Sequence, residues 1–275
     1  MRTVTQSLRE YGRGVAGGLL FSLPLLYTME VWWAGFTSHP WRLAAYVAAT
    51  FALLLGYNYY AGLRRDSCFS EVVIDSVEEL GLGLLLALFI LWLLGRVTAA
   101  MPAEEAAGKV VVEAMTVAVG VSVGTAQLGG GDDEEDRGVG GGGESVGFGG
   151  QLVTALCGAV LFAANVAPTE EIVMIAVEVS AWRLLGLALL SLSLGALILY
   201  YSEFAGSGRH VRFDRPRDVL VGTVITYAVA LVASAATLLF FGRFDGQALG
   251  TCVAQTVVLG VAATLGASAG RLLLQ

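Results

Sequence analysis

What the chain lacks narrows its class first. Lysine is nearly missing: of 16 Lys and Arg residues only Lys109 is a lysine, and arginine supplies the rest. Charge of either sign is scarce, 14% of residues, where a soluble domain carries about a quarter. Acidic residues outnumber basic ones, 23 to 16, for a net charge of −7, and that balance argues against a nucleic-acid partner. The three cysteines, Cys68, Cys157 and Cys252, show no CxxC or Cys/His spacing, so neither a disulfide framework nor a zinc site is indicated. His39 and His210 stand apart, without company for a metal or a catalytic base. There is no Walker loop, no nucleophile motif and no HExxH helix, nor a lysine in the last apolar runs to form a Schiff base. Neither an enzyme nor a cofactor is expected. The acidic, lysine-poor balance resembles proteins of salt-loving archaea, although a high-GC bacterium would also favour arginine and glycine.

What is present is apolar. Hydrophobic residues make up 56% of the chain and the mean hydropathy is +0.73. Several runs reach the roughly 20 residues that cross a bilayer as a helix. They are continuous, as in LGLGLLLALFILWLLG, rather than alternating, which implies helices and not a barrel. The expectation is an all-α membrane protein with eight spans, over about 14–36, 42–62, 76–98, 107–128, 151–180, 183–203, 218–242 and 247–272.

Arg2, Arg9 and Arg13 precede a first run too long for a signal h-region, with no small-residue cleavage site after it, so it reads as a span. With the N-terminus inside, Arg2, Arg9, Arg13, Arg64, Arg65, Arg137, Arg209, Arg212, Arg215, Arg217 and Arg271 fall on the inner side. Arg42, Arg96, Lys109, Arg183 and Arg243 fall on the outer side. That asymmetry puts both termini in the cytoplasm, with the chain in the plasma membrane.

Residues 129–150, GGGDDEEDRGVGGGGESVGFGG, form an acidic glycine-rich linker that cannot bury a core. Its DDEED run lacks the alternating ligands and central glycine of an EF-hand loop, so a solvated cytoplasmic hinge is the default reading. The linker separates residues 1–128 from 151–275, and these halves match. A shift of 141 residues places Gly17 on Gly158, Phe21 on Phe162, Thr28 on Thr169 and Glu30 on Glu171. The same shift pairs Trp41 and Arg42 with Trp182 and Arg183, and Tyr59 and Tyr60 with Tyr200 and Tyr201. Later, LGRV (94–97) resembles FGRF (241–244), and GKVVVE (108–113) falls on GTCVAQ (250–255), which sets Glu113 opposite Gln255. Each half has an even number of spans, so the two four-helix repeats are expected to be parallel. A pseudo-twofold axis along the membrane normal would relate them.

Glu30 and Glu171 are the leading candidates for chemistry. A carboxylate at a helix centre costs about 2.5–3.5 kcal/mol on insertion scales and usually faces a cavity, a partner or an ion path. Each follows a threonine, Thr28 or Thr169, and a proline, Pro24 or Pro168, that breaks the helix and frees a carbonyl. Interrupted helices at matching places in two halves are the best pointer to a transport site. Asn165, Glu170 and Glu178 enrich the second copy. The bland reading is a polar clasp, with Glu30 near the outer headgroups and Glu171 paired to Arg42 or Arg183.

Glu113 is a further candidate, although an i, i+4 pair with Lys109 would make it structural. Glu78, Glu79, Asp75 and Asp218 read as helix starts, where negative charge is favourable anyway. Trp32, Trp33, Trp41 and Trp182 read as an outer aromatic belt, matched by an inner one of Tyr59, Tyr60, Tyr200 and Tyr201. Gly120, Gly124, Gly260, Gly266 and Gly270 fit close helix packing or gating.

PLLYTMEVWW in the first span and PTEEIVMIAVEVSAW at the fifth look like a family of prokaryotic integral membrane proteins known chiefly as a domain of unknown function. The resemblance covers nearly the whole chain and implies no substrate. The expected function is therefore argued from the duplicated acidic motif. It is transport of a proton or small cation, by a channel or an ion-coupled carrier, along a path between the halves. The alternative is a non-transporting scaffold or accessory subunit that docks a membrane partner through the acidic linker. The lipid bilayer is the certain partner; a second copy or a partner subunit is left open.

Overall fold

The structure, a computed structural model, describes residues 4–61, 68–128, 148–204 and 216–272, with side chains for all of these except 4–7, 201–204, 216–218 and 272. Most of the linker, its DDEED run and Arg2, Arg64, Arg65, Arg137, Arg209, Arg212 and Arg215 lie outside the described residues, as does the side chain of Tyr201. Every regular element among the described residues is a helix: α1 (Val4–Leu26), α2 (Met29–Thr37), α3 (Pro40–Ala61), α4 (Phe69–Leu93) and α5 (Ala103–Gln127), then α6 (Phe148–Val166), α7 (Glu170–Glu178), α8 (Ala181–Phe204), α9 (Pro216–Phe240) and α10 (Leu249–Leu272). The chain divides into two compact units, Met1–Gly142 and Gly143–Gln275.

Among the described residues six helices, α4, α5, α6, α8, α9 and α10, are long and apolar enough to cross a membrane, and the bent pair α1/α2 would be a seventh span. The eighth expected span, α3, does not join them. Its 22 residues include Pro40, Trp41, Arg42, Asn58 and four tyrosines, which dilute its apolar content.

The first expected span, 14–36, is not one helix. Pro24 removes an N–H from the last turn of α1, the helix ends at Leu26, and Thr28 takes an extended conformation (φ −97°, ψ 114°). From there α2 leaves at 86° to α1. The fifth expected span, 151–180, is likewise two helices. Ala167 precedes Pro168, which disfavours helical backbone, and Thr169 is extended (φ −74°, ψ 151°) before α7 begins. The short helices α2 and α7 have nine residues each and begin and end 141 positions apart.

In the first unit α5 is central, packing on α1, α2, α3 and α4, with α3 on α4 and α1 on α4 completing the set. In the second, α10 packs on α6, α7, α8 and α9, with α8 on α9 and α6 on α9. Taken in chain order, the same six helix pairs occur in both units. From Val112 through Gly124 every residue of α5 is buried. Small residues make this possible: a Cβ on Gly17 of α1 would strike Gly124 Cα and the Gly120 carbonyl. In the second unit a Cβ on Gly158 of α6 would strike the Gly266 carbonyl and Gly270. Small-residue seams of this kind let helix backbones approach inside a bilayer.

These contacts correct the alignment of the last helix in each unit. Gly120 and Gly124 take the places of Gly266 and Gly270, an offset of 146 and not the 142 that the GKVVVE/GTCVAQ resemblance gives. The slip is one helical turn. Glu113 therefore corresponds to Leu259, and Gln255 to Lys109. The LGRV/FGRF resemblance has a backbone cause. Gly95 (φ 67°) and Gly242 (φ 70°) end α4 and α9 in left-handed conformation. The following Arg96 and Arg243 N–H groups reach back to the Leu91 and Leu238 carbonyls at 2.8 and 2.9 Å.

Candidate functional site

The breaks move the expected glutamates from helix centres to helix starts. Glu30 lies in the first turn of α2, half-buried, and Glu170 and Glu171 in the first turn of α7, exposed. Acidic side chains are favourable there through the helix dipole alone. Thr28 and Thr169 occupy the residue before each short helix, yet their hydroxyls do not cap it. Thr28 Oγ1 donates to the Pro24 carbonyl at 2.8 Å, and Thr169 Oγ1 donates to the Val166 carbonyl at 2.9 Å. Both threonines thus satisfy carbonyls at the end of the preceding helix. Asn165 Nδ2 donates to the Leu161 carbonyl of its own helix at 2.6 Å. Glu178 ends α7, exposed; Pro24 is exposed within α1, and Pro168 is buried in the break.

Glu113 is placed differently. It lies mid-way along α5 with 0% exposure, and neither carboxyl oxygen has a hydrogen-bond partner among the described residues. The expected pairing with Lys109 does not form. Lys109 Nζ bonds Glu105 Oε1 one turn earlier at 2.6 Å, and lies over the Phe36 ring at 5.4 Å. The Trp32 indole N–H is within reach of Glu113, but donates to the Leu26 carbonyl at 3.2 Å, one of the groups exposed by the break. Trp32 is accordingly not a belt residue. Arg96 stacks over its ring at 4.7 Å, while Trp33, Trp41 and Trp182 are exposed as a belt requires. α2 itself is seated by Gly35 against Gly108 and Lys109 of α5, where no side chain would fit.

Below Glu113 along the first unit, polar groups continue between α3, α4 and α5. Tyr46 Oη and Thr116 Oγ1 are 3.3 Å apart. Further on, Asn58 Nδ2 donates to Glu79 Oε2 at 2.7 Å and to Ser76 Oγ at 3.1 Å, and Ser122 Oγ donates to Asn58 Oδ1 at 3.2 Å. Gln127 Nε2 reaches Tyr57 Oη at 3.4 Å. The sequence reading set Glu79 at a helix start. In fact α4 begins ten residues earlier, at Phe69, because the helix runs more than two turns beyond its apolar stretch. The one available signal was Asn58, an amide in an otherwise apolar segment.

Among the described residues, no group of three or more His, Cys, Asp or Glu side chains could hold a metal ion. The site offers one isolated carboxyl, one carboxyl bonded to an amide, and hydroxyl groups that both donate and accept.

Compared with known proteins, the chain matches a family of integral membrane proteins of unknown function, DUF2391, over residues 10–274. No curated protein and no solved structure matches it.

Proposed function

We propose, for a multi-pass membrane chain that belongs to the DUF2391 family, that it moves a proton or a small cation across its membrane, as a channel or an ion-coupled carrier. The observation that carries this reading is Glu113: a carboxyl with 0% exposure and no hydrogen-bond partner among the described residues, on the central helix of its unit. A buried polar group left without a partner costs about 1–3 kcal/mol, and more when charged. No hydrogen bond among the described residues offsets that cost, and a function that needs the carboxyl accounts for it. Intramembrane carboxyls of this kind mark proton relays and ion paths in membrane proteins.

The broken helices support the same reading. Interrupted helices at corresponding positions of two halves are the recurrent frame of transport sites. Glu30 and Glu171 are assigned to the mouths of these breaks, where they attract cations together with Glu170 and Glu178. The oxygens of Thr28, Thr169 and Asn165 are secondary ligands. The matching order of helices and helix pairs in the two units favours a duplicated ancestor, arranged as two parallel repeats, with both termini in the cytoplasm.

The test is flux. Purified protein in proteoliposomes under an imposed potential should take up protons or an alkali cation faster than protein-free vesicles. Glu113→Gln should reduce that rate at least tenfold, and Glu30→Gln with Glu171→Gln by a smaller factor. Absence of flux for every cation tried, with capture of a membrane partner that depends on 129–150, would establish the scaffold role instead.

A further inference from the structure

We infer that the two units differ in function: the first carries the transported species, which is a proton, and the second, where the guanidinium of Arg271 takes the equivalent place, does not. This rests on the transport reading above and adds to it the species and the unit that handles it.

The polar groups of the first unit form a row along α5. From Glu113 through Thr116 and Ser122 to Gln127 is 14 residues, about 21 Å at the helical rise of about 1.5 Å per residue. That covers most of a hydrocarbon core about 30 Å thick. Thr116 is bonded to Tyr46, Ser122 to Asn58 and through it to Glu79, and Gln127 to Tyr57. Thr116, Ser122 and Asn58 are themselves buried. Hydroxyls and carboxyls pass a proton by exchanging donor and acceptor roles, and with water bridging the steps between them a proton can use such a row without a wide channel.

A metal cation is poorly served by the same groups. Sodium- or calcium-sized ions need several oxygens converging at once, whereas the oxygens here are strung out singly, and among the described residues no three His, Cys, Asp or Glu side chains gather to hold a metal ion.

The second unit keeps little of the row, with the buried Ser268 in the place of Ser122. Its offsets of 141 for α8, 147 for α9 and 146 for α10 put Leu187 and Leu199 where the first unit has Tyr46 and Asn58. They put Leu259 and Ala262 where it has Glu113 and Thr116. Thr226 stands in the place of Glu79. There, Arg271 donates to Thr226 Oγ1 at 2.7 Å, to the Gly222 carbonyl at 3.0 Å and to Gln151 Oε1 at 2.8 Å. The place of a carboxyl in one unit is thus taken in the other by a guanidinium held in three hydrogen bonds, which does not give up its proton and so cannot relay one.

The experiment uses the full-length protein in proteoliposomes with an internal pH dye, run in parallel with sodium and potassium tracers. Wild type should take up protons and neither metal ion. Glu113→Gln, Glu79→Gln and Asn58→Leu should each lower proton uptake at least tenfold, whereas Gln255→Leu and Thr226→Val in the second unit should change it less than twofold. Each variant is checked for a monodisperse elution profile. Should Asn58→Leu misfold, the two isosteric glutamine variants decide alone. Proton uptake that survives Glu113→Gln combined with Glu79→Gln overturns the inference, and so does equal sensitivity to the second-unit substitutions. Metal-ion uptake by wild type overturns the proton assignment and leaves transport standing. No flux of any ion removes the transport reading itself.

Discussion

At the scale of single residues, Glu113 and Leu259 set function against stability. They occupy equivalent, fully buried places on α5 and α10, one with an unpartnered carboxyl and the other with an apolar side chain. Replacing an unsatisfied polar group by an apolar one of similar shape is neutral or stabilising. Glu113→Leu should therefore raise the thermal midpoint of the detergent-solubilised protein, by an amount corresponding to about 1–3 kcal/mol, while removing flux. A gain in stability with loss of activity is the signature of a residue kept for what it does. A lowered midpoint would mean that the carboxyl is structurally satisfied after all. Glu30 and Glu171 belong to the other kind of residue: in the first turn of a short helix, their charge is locally favourable.

At the scale of elements, two glycines of α1 separate packing from propensity. Gly17 faces the α5 backbone so closely that a Cβ would strike it, whereas Gly12 has nothing within 4 Å. Gly17→Ala should cost about 1–3 kcal/mol through overpacking, and Gly12→Ala should stabilise by about 0.5–1 kcal/mol through helix propensity. Thermal melts of the two variants check both signs at once. Much of this level was legible in the sequence. The 141-residue offset carried the boundaries of α2 and α7 without a gap, and LGRV/FGRF marked two left-handed glycine caps.

Two elements were not legible, for physical reasons. Apolar runs define where a helix can lie in lipid, not where its backbone hydrogen bonds begin, so Glu79 looked like a helix start although α4 begins at Phe69. The correspondence of α5 with α10 follows from glycines that pack on α1 in the first unit and on α6 in the second, and a local resemblance of six residues missed it by one turn. The breaks were sensed from Pro24 and Pro168, but each proline stands at a different distance from its break. Only the backbone showed that both glutamates begin a new helix.

For the whole molecule, the membrane class rests on composition, on six helices able to span and a bent pair that would be a seventh, and on membership of an integral membrane family. Sidedness is open to a chemical test at Cys68. This residue is exposed just before α4, and the Ser70 backbone N–H, then the Ser70 hydroxyl, hold its thiol below the ordinary value. It is therefore a ready target for alkylation. On the proposed topology, with the N-terminus cytoplasmic and both α1/α2 and α3 crossing the membrane, a membrane-impermeant maleimide should leave Cys68 unmodified in intact cells and label it in inside-out vesicles. Labelling in intact cells would contradict that topology.

The central claim is that the buried carboxyl of Glu113 takes part in moving a proton. Its most direct test is proton uptake into proteoliposomes of wild type and Glu113→Gln at matched protein content and an imposed potential. Wild type should take up protons, and Glu113→Gln should do so at least tenfold more slowly. Equal uptake by the two proteins would contradict it.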